Sequence, residues 1–112
     1  MSPITTHILD TTRGRPAVGV EVELQEKSGA GWKALGADAT DANGRCNSLM
    51  AEQKLKVGAY RLLFNVGPYF QEQEREAFYS EIAVTFEVHH PETHYHVPLL
   101  ISPFGYSTYR GS

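Results

Sequence analysis

The stretch Val18-Gly-Val-Glu-Val-Glu-Leu-Gln25 alternates apolar residues with polar or small ones. Side chains along a β-strand point to opposite faces in turn, so this pattern predicts a strand with one buried face. The same alternation returns twice further along the chain. Its apolar positions are Tyr60, Leu62, Phe64 and Val66 in one segment, and Ile82, Val84, Phe86 and Val88 in the other. Three strands of this kind predict an all-β fold.

Turn-forming sequences separate these strands. They are Ser28-Gly-Ala-Gly31, Asp41-Ala-Asn-Gly44, Gly67-Pro68 and Pro91. Each contains a residue that readily adopts a positive φ angle or that interrupts the hydrogen bonding between strands. Short strands and turns at this spacing are typical of a sandwich or barrel. Only the segment from about Tyr69 to Glu76 predicts a helix, because it combines good helix formers with no β-branched residue.

The length and charge of the chain narrow the class of protein. Its 112 residues fit one compact domain, which we take as residues 1–112. Hydrophobic residues make up 41% of the chain, and no apolar run is long enough to span a bilayer, which argues against a membrane partner. The formal net charge is -3 and the 10 Lys and Arg residues are scattered, so nucleic acid is not an expected partner either.

Cysteine usage and the first residues predict a cytoplasmic protein. Cys46 is the only cysteine, so no intrachain disulfide is possible, which favours a reducing compartment. The start, Met1-Ser-Pro-Ile-Thr-Thr-His7, has neither the charged n-region nor the apolar h-region of a secretory signal. The ending also differs from the Ser-Lys-Leu peroxisomal address.

Two histidines lie on predicted strands whose other face is apolar. Ile4 and Ile8 predict an N-terminal strand with a core face, which leaves His7 on the outer face. In the segment that begins at His94, the odd-numbered residues are apolar and predict the core face. They are Tyr95, Val97, Leu99 and Ile101. His96 then lies on the outer face beside an apolar leucine, and an exposed apolar residue there suggests a subunit contact.

If these two strands are neighbours in one sheet, His7, His96 and Arg45 converge on one outward patch. Each residue also has a simpler interpretation. His7 alone is most simply a surface or half-buried strand residue, and Arg45 is most simply a solvated residue that leaves a hairpin turn. An alternative interpretation of His94 and His96 is that they are two ligands of a metal ion, although the sequence indicates no third ligand nearby. The alternative for the last residues is a disordered C-terminal end, which is common in proteins.

Several segments carry a more specific pattern. They are Thr6-His-Ile-Leu-Asp10, Gly14-Arg-Pro16, Asp41-Ala-Asn-Gly-Arg45 and the run from His94 to the closing Tyr109-Arg-Gly-Ser112. Through them, nearly the whole chain resembles the transthyretin-related 5-hydroxyisourate hydrolases, enzymes of urate breakdown. The resemblance implies a transthyretin-like sandwich of two four-stranded antiparallel sheets with one short helix. It also implies a homotetramer with its active sites in the channel where dimers meet. Ser80 departs from the family, which commonly has proline there.

The resemblance also implies roles for individual residues. It makes His7, His96 and Ser112 catalytic. It assigns substrate binding to Arg45, His7, Tyr109, Arg110, Gly111 and Ser112. The implied reaction is hydrolysis of 5-hydroxyisourate to 2-oxo-4-hydroxy-4-carboxy-5-ureidoimidazoline. Water attacks a cyclic amide carbonyl in this reaction, and neither a metal nor another cofactor is implied.

Other functions compete with hydrolysis. The hormone carrier transthyretin shares the implied fold and channel but lacks these histidines, the arginine and the Tyr-Arg-Gly-Ser ending. A non-catalytic transthyretin-like protein that binds a small ligand is therefore the main alternative. Tight zinc binding through His94 and His96 would also favour a binding protein, and a purely structural role ranks third.

Overall fold

The computed structural model describes residues 2–50 and 54–112. Nine strands and one helix lie within these ranges. The strands are β1 (Ile4–Asp10), β2 (Arg15–Pro16), β3 (Glu21–Ser28), β4 (Gly31–Ala39), β5 (Arg45–Cys46), β6 (Gly58–Asn65), β7 (Glu81–Val88), β8 (Tyr95–Ser102) and β9 (Gly105–Thr108), and the helix is α1 (Gly67–Glu72). The first sheet has the order β2-β1-β8-β9, with β5 also paired to β1. The second sheet has the order β4-β3-β6-β7. The predicted all-β sandwich with one short helix is confirmed.

The core lies between the two sheets and consists of the alternating apolar residues. Each of the predicted strands sends its apolar face inward, and residues at the centre of both sheets are almost fully buried. Among these are Ile4, Ile8, Leu99 and Ile101 of the first sheet, and Val22, Leu24, Leu62 and Phe64 of the second. The alternation therefore identified the core face correctly.

Val18 is an exception to the predicted core, with 51% of its surface exposed. Gly19 adopts φ +80°, and its N–H donates to the Thr40 carbonyl, so the chain turns there before β3 begins at Glu21. Positive φ is costly for residues other than glycine. The strand therefore starts three residues after the first residue of the alternating stretch.

The direction of one strand pair differs from the expected antiparallel sheets. β1 runs parallel to β8, with Ile4 opposite Tyr95 and Asp10 opposite Ile101. The first sheet also gains the two-residue strand β5 as a further partner of β1. A period of two reports which face a side chain takes and contains no information about the direction of the neighbouring strand. The sheet is therefore mixed.

Strand β4 was not predicted, because its sequence does not alternate. Most of its residues are exposed, and only Leu35 packs as a half-buried hydrophobic against the core. It pairs with β3 through the turn at residues 28–31, with Ser28 opposite Gly31. An edge strand with little to bury needs no apolar face, so hydrophobic periodicity does not detect it.

The helix begins earlier and ends earlier than predicted. Pro68 lies in its first turn, where the missing N–H of proline breaks no helical hydrogen bond. Glu74 has φ +54°, a left-handed conformation that ends the helix before Glu76. Tyr69 and Phe70 are the buried residues of α1. No helix in the described ranges is long and apolar enough to cross a membrane.

A buried carboxylate ties the helix to β1. Asp10 is fully buried and accepts hydrogen bonds from the Tyr69 hydroxyl at 2.9 Å and from the Arg75 guanidinium. Burial alone raises the pKa of Asp10, but these hydrogen bonds outweigh it and hold the pKa below its ordinary value. The carboxylate is thereby paired, as a buried charge must be.

Candidate active site on the outer face of the first sheet

Strand pairing brings the two predicted histidines and the predicted arginine to one face. Arg45 on β5 lies directly opposite His7 on β1. On the other side of β1, His7 lies opposite Pro98, and Thr5 lies opposite His96. Residues directly opposite each other in a sheet project to the same face. The three side chains therefore share the outer face of the first sheet.

A tight turn at residues 41–45 places Arg45 opposite His7. The Asp41 carboxylate accepts hydrogen bonds from the backbone N–H groups of Asn43, at 2.8 Å, and Arg45, at 3.0 Å. These two bonds are the main reason why the pKa of Asp41 is lowered. Gly44 has φ +75°, and a Cβ there would lie 2.6 Å from the Ile8 carbonyl oxygen. Glycine is thus the residue that lets the turn dock against β1 with Arg45 beside His7.

The environment of His7 favours its neutral form. Burial is the largest cause that lowers the pKa of His7 below 6.5, and the nearby Arg45 charge is the second. A hydrogen bond to the Asn43 backbone and the charge of Asp41 act in the opposite direction. A neutral imidazole has a free nitrogen lone pair, so His7 is able to accept a proton near neutral pH.

His96 has a similar environment. It is half-buried, and burial is the largest cause that lowers its pKa, followed by the charges of Arg45, His94 and His7. A hydrogen bond to the Thr5 backbone opposes this shift. Nδ1 of His96 lies 2.8 Å from the Thr5 hydroxyl oxygen. Two imidazoles that favour the neutral form therefore share this face with the Arg45 guanidinium, and His7 on β1 lies between Arg45 on β5 and His96 on β8.

Thr5 is the member of this group that sequence reasoning missed. Its side chain is only 3% exposed, although it lies on the outer face with His7. The signal was its position two residues before His7, which places both on the same face of β1. The register that puts Thr5 against His96 joins residues 91 positions apart, so the local sequence does not contain it.

The C-terminal tail is anchored on His96. The Gly111 N–H donates to the His96 carbonyl at 2.8 Å, and the two residues form an isolated β-bridge in the register of the β8–β9 ladder. A Cβ at Gly111 would lie 2.7 Å from Cδ2 of the His96 ring. Only glycine lets the tail approach so closely. Ser112 follows directly and is exposed.

Arg110 is not part of this cluster within one chain. Its guanidinium lies over the Tyr95 ring, 4.3 Å from the ring centroid, and Nη2 donates to the His94 carbonyl at 3.4 Å. Tyr95 belongs to the core face, so Arg110 turns to the opposite side of the tail from Gly111. Tyr109 and Arg110 both border a cavity of about 500 Å³ that β7 and β8 also line. Their predicted part in substrate binding stays a prediction.

Neither metal binding nor cysteine chemistry has suitable residues on the described part of this face. Within residues 2–50 and 54–112, no three His, Cys, Asp or Glu side chains group closely enough to hold a metal ion. His94 and His96 instead share the Thr5 hydroxyl. Cys46, next to Arg45, is fully buried, and burial is the largest cause that raises its pKa to about 12. Its thiol therefore stays protonated and unreactive at neutral pH.

Family comparison agrees with this architecture. A family model described as HIUase/Transthyretin family matches residues 4–111 of the chain. The chain belongs to the HIUase/Transthyretin family. A relative in this family, the 5-hydroxyisourate hydrolase of Salmonella typhimurium, is 46% identical to it over 109 residues, or 97% of this chain and 80% of the relative.

Solved structures of the family include both an enzyme and a ligand-binding protein. The 5-hydroxyisourate hydrolase of Klebsiella pneumoniae superposes with a TM-score of 0.84 at 37% identity, covering 97% of this chain and 92% of that one. Sea bream transthyretin, solved in complex with thyroxine, superposes with a TM-score of 0.91 at 34% identity, covering 98% and 95%. Because the backbone resembles both, side chains must distinguish the functions.

Proposed function

We propose that this protein hydrolyses 5-hydroxyisourate to 2-oxo-4-hydroxy-4-carboxy-5-ureidoimidazoline in urate catabolism. The observation that carries the proposal is the presence of His7, Arg45 and His96 on one outer face, with the tail bridged to His96. The relatives named 5-hydroxyisourate hydrolase at 46% and 37% identity support it. The reaction is cyclic-amide hydrolysis carried out by side chains alone.

Arg45 binds the substrate and stabilises the developing negative charge. When water adds to the ring carbonyl, the carbonyl oxygen becomes an oxyanion, which positioned donors stabilise more than they stabilise the ground state. A guanidinium presents a planar fork of donors to adjacent acceptors on a flat ring. Arg45 is exposed on the outer face, so its donors are open to a ligand there.

The two imidazoles carry the protons. Their pKa values lie below 6.5, so both are largely neutral at pH 7. One imidazole takes a proton from the attacking water as the new C–O bond forms and, as an imidazolium, gives a proton to the ring nitrogen when the C–N bond breaks, while the other imidazole donates a hydrogen bond to the ring or its oxygen. Ser112 positions water or substrate through its hydroxyl or its terminal carboxylate. The remaining tail residues, Tyr109, Arg110 and Gly111, bind the substrate or hold the tail in position.

The proposal extends to assembly and location. We propose that residues 1–112 act as one domain in a homotetramer, with each site in the channel where dimers meet, and that the enzyme works in the cytoplasm. The open outer face of the first sheet supports a subunit contact, because a flat site exposed on one chain excludes water only when a neighbour covers it. The fully buried single cysteine is consistent with a reducing compartment.

The test is the ultraviolet decay of 5-hydroxyisourate generated in place from urate by urate oxidase. The protein is treated with a chelator and added to half of the samples. Accelerated decay that the substitution Arg45→Ala abolishes is the expected result. Decay at the spontaneous rate from a folded, tetrameric protein would contradict the proposal.

The second candidate is a non-catalytic protein that binds a small ligand in the subunit channel. The TM-score of 0.91 to transthyretin in complex with thyroxine favours it. Binding of thyroxine without any acceleration of 5-hydroxyisourate decay would move this function to first place.

A further inference from the structure

The Thr5 hydroxyl joins two imidazoles, and only one of them has a part in the proposed reaction. Its oxygen lies 2.8 Å from Nδ1 of His96 and 3.0 Å from Nε2 of His94. The two rings are nearly parallel, with 6.4 Å between centroids and 24° between planes. Thr5 is only 3% exposed, so its hydroxyl is shielded from solvent while it contacts both titratable rings.

Hydrogen-bonding rules couple the two rings through this hydroxyl. A threonine hydroxyl has one proton to donate, and a neutral imidazole has one N–H and one lone pair. If Thr5 donates to Nε2 of His94, then Nδ1 of His96 must be the protonated nitrogen and donate to Thr5. Nε2 of His96 is then left with a lone pair. The direction of the Thr5 hydroxyl thus determines whether His96 presents a base or an acid at Nε2.

We infer that Thr5 and His94 form a proton relay that serves His96, an inference that rests on the proposed hydrolysis. In the resting state, His96 carries its proton on Nδ1 and His94 carries its proton on Nδ1. Nε2 of His96 takes a proton from the attacking water. The Nδ1 proton of His96 then passes to the Thr5 oxygen, while the Thr5 hydroxyl proton passes to Nε2 of His94.

This step changes the role of His96 without changing its charge. After transfer, His96 is neutral with its proton on Nε2, the hydroxyl of Thr5 is restored, and His94 is a cation. The Nε2 proton is then available to the leaving ring nitrogen. As that proton leaves, Nε2 of His94 returns its extra proton through the Thr5 hydroxyl to Nδ1 of His96, so all three side chains regain their resting protonation. One imidazole can in this way serve first as a base and then as an acid.

The charges around His96 favour moving the proton outward. Arg45 from β5, His7 from β1 and His94 all lower the pKa of His96, in addition to burial. A cation held on His96 would be next to the Arg45 charge. His94 directly precedes β8 and lies two residues further along the chain than His96 from Pro98, the position opposite His7. Transfer to His94 therefore separates the positive charge from the guanidinium and brings it to solvent.

The experiment removes the hydroxyl and keeps the shape of the side chain. Thr5→Val is compared with Thr5→Ser, which restores a hydroxyl, and with Thr6→Val as the matched control. Thr6 is the next residue on β1 and is also buried, but its hydroxyl donates to the Val97 carbonyl at 2.6 Å. Both valine variants lose one buried hydroxyl from the same strand, and only one of them loses contact with the histidines.

Two readouts are measured on each variant. The first is side-chain nitrogen NMR of His96, which reports the protonated ring nitrogen and needs no turnover. The second is kcat and KM for 5-hydroxyisourate. We expect Thr5→Val to change the tautomer of His96 and to lower kcat by about tenfold to a hundredfold with little change in KM, the loss that follows when a metal-binding imidazole loses its orienting partner. Thr5→Ser should restore both readouts, and Thr6→Val should change neither.

His94→Gln tests the far end of the relay. A glutamine keeps hydrogen-bonding capacity but cannot store a proton, so kcat should fall to a similar extent. The double variant with Thr5→Val should be no slower than either single variant, because residues in one relay are not additive. A full kcat in His94→Gln, or additive losses in the double variant, would overturn the relay.

The outcomes separate this inference from the proposed function. If the unaltered protein does not hydrolyse 5-hydroxyisourate, the function fails, while the NMR comparison still tests the coupling of His94 to His96. If the unaltered protein is active but Thr5→Val matches Thr6→Val in both readouts, the relay fails and the hydrolase remains. Loss of kcat that Thr5→Ser does not restore would also overturn the relay in favour of simple packing.

Discussion

The outer faces of the two sheets are built from the same alternating pattern but use their polar side chains differently. On the second sheet, Arg61 donates to the Gln25 side chain at 2.6 Å and lies over the Trp32 ring, 4.5 Å from its centroid. On the first sheet, Arg45 lies opposite His7 and shares its face with His96, and both imidazoles favour the neutral form. The salt bridge found in the described part of the chain joins Arg75 to Asp10, not Arg45 to a carboxylate.

This difference shows which polar face is structural and which is open to a ligand. A guanidinium that donates through Nε within its own sheet and lies over an indole ring is held in place, with one flat surface covered. A guanidinium that faces neutral imidazoles still requires an acceptor, which a planar substrate with carbonyl oxygens supplies. Paired substitutions on the two faces therefore test the comparison directly.

The largest expected effect comes from the histidines. Replacing His7 or His96 by glutamine should lower kcat by about 10² to 10⁴, the usual contribution of a general acid or base. The matched control is His89→Gln, an exposed histidine directly after β7 of the second sheet, which should keep full activity. The ultraviolet decay assay measures all three variants. Equal rates for His7→Gln and His89→Gln would remove His7 from the mechanism.

The two arginines give the next test. Arg45→Ala should lower kcat/KM by about 10² to 10³, the range for loss of one oxyanion donor. Arg61→Ala should leave kcat/KM unchanged and affect only stability, because its contacts lie within its own sheet. Arg45→Lys should restore little, since an ammonium does not reproduce the planar fork. Similar losses in the two alanine variants would mean that the faces do not differ in function.

Tail placement should have a smaller effect. Gly111→Ala adds a Cβ 2.7 Å from the His96 ring, so the tail must move away. A displacement of about 1 Å commonly costs about a hundredfold in rate. Gly31→Ala is the control on β4, where the nearest atom to the added Cβ is 4.0 Å away. Kinetics and thermal unfolding should show lost activity at unchanged stability in Gly111→Ala, and wild-type kinetics in Gly111→Ala would contradict the anchoring of the tail on His96.

The smallest effect is in the titration of the histidines. Removing Arg45 removes a positive charge that lowers the pKa of both His7 and His96, so NMR should show both pKa values rising toward 6.5 in Arg45→Ala. Arg61→Ala should leave both unchanged. In the unaltered protein, His7 and His96 have lower pKa values than in the unfolded chain. At a pH between those lowered values and 6.5, the unfolded chain therefore binds more protons than the folded protein. Stability from these groups is therefore present above pH 6.5 and is lost as the pH falls.

The faces of the strands could be predicted from sequence, but their partners could not. Alternation is local, so the core positions Leu24, Leu62 and Leu99 follow from their neighbours in the chain. The parallel pairing of β1 with β8 depends on contacts about 90 residues apart, which no window of sequence contains. Strand β4 was not predicted for a different reason. An exposed edge strand buries little apolar surface, so its sequence needs no regular alternation of apolar and polar residues.

The candidate site was predictable as a set of residues and not as a geometry. Family resemblance indicated His7, Arg45 and His96, while strand register determines that they share a face. Thr5 was missed because its importance arises only from the residue opposite it. Arg110 differs from the expected cluster because alternation along the tail turns it toward Tyr95 when Gly111 faces His96.

The parallel pairing of β1 and β8 has a consequence for the order of folding. β3 pairs with β4 through a short turn, so part of the second sheet forms from contacts close in sequence. The site requires the first strand to meet the eighth, a long loop closure that is entropically costly and slow. A chain that has folded only its second sheet contains a hydrophobic core face and no site. Recovery of catalysis during refolding should therefore lag behind recovery of β structure, so that turnover reports the last steps of folding.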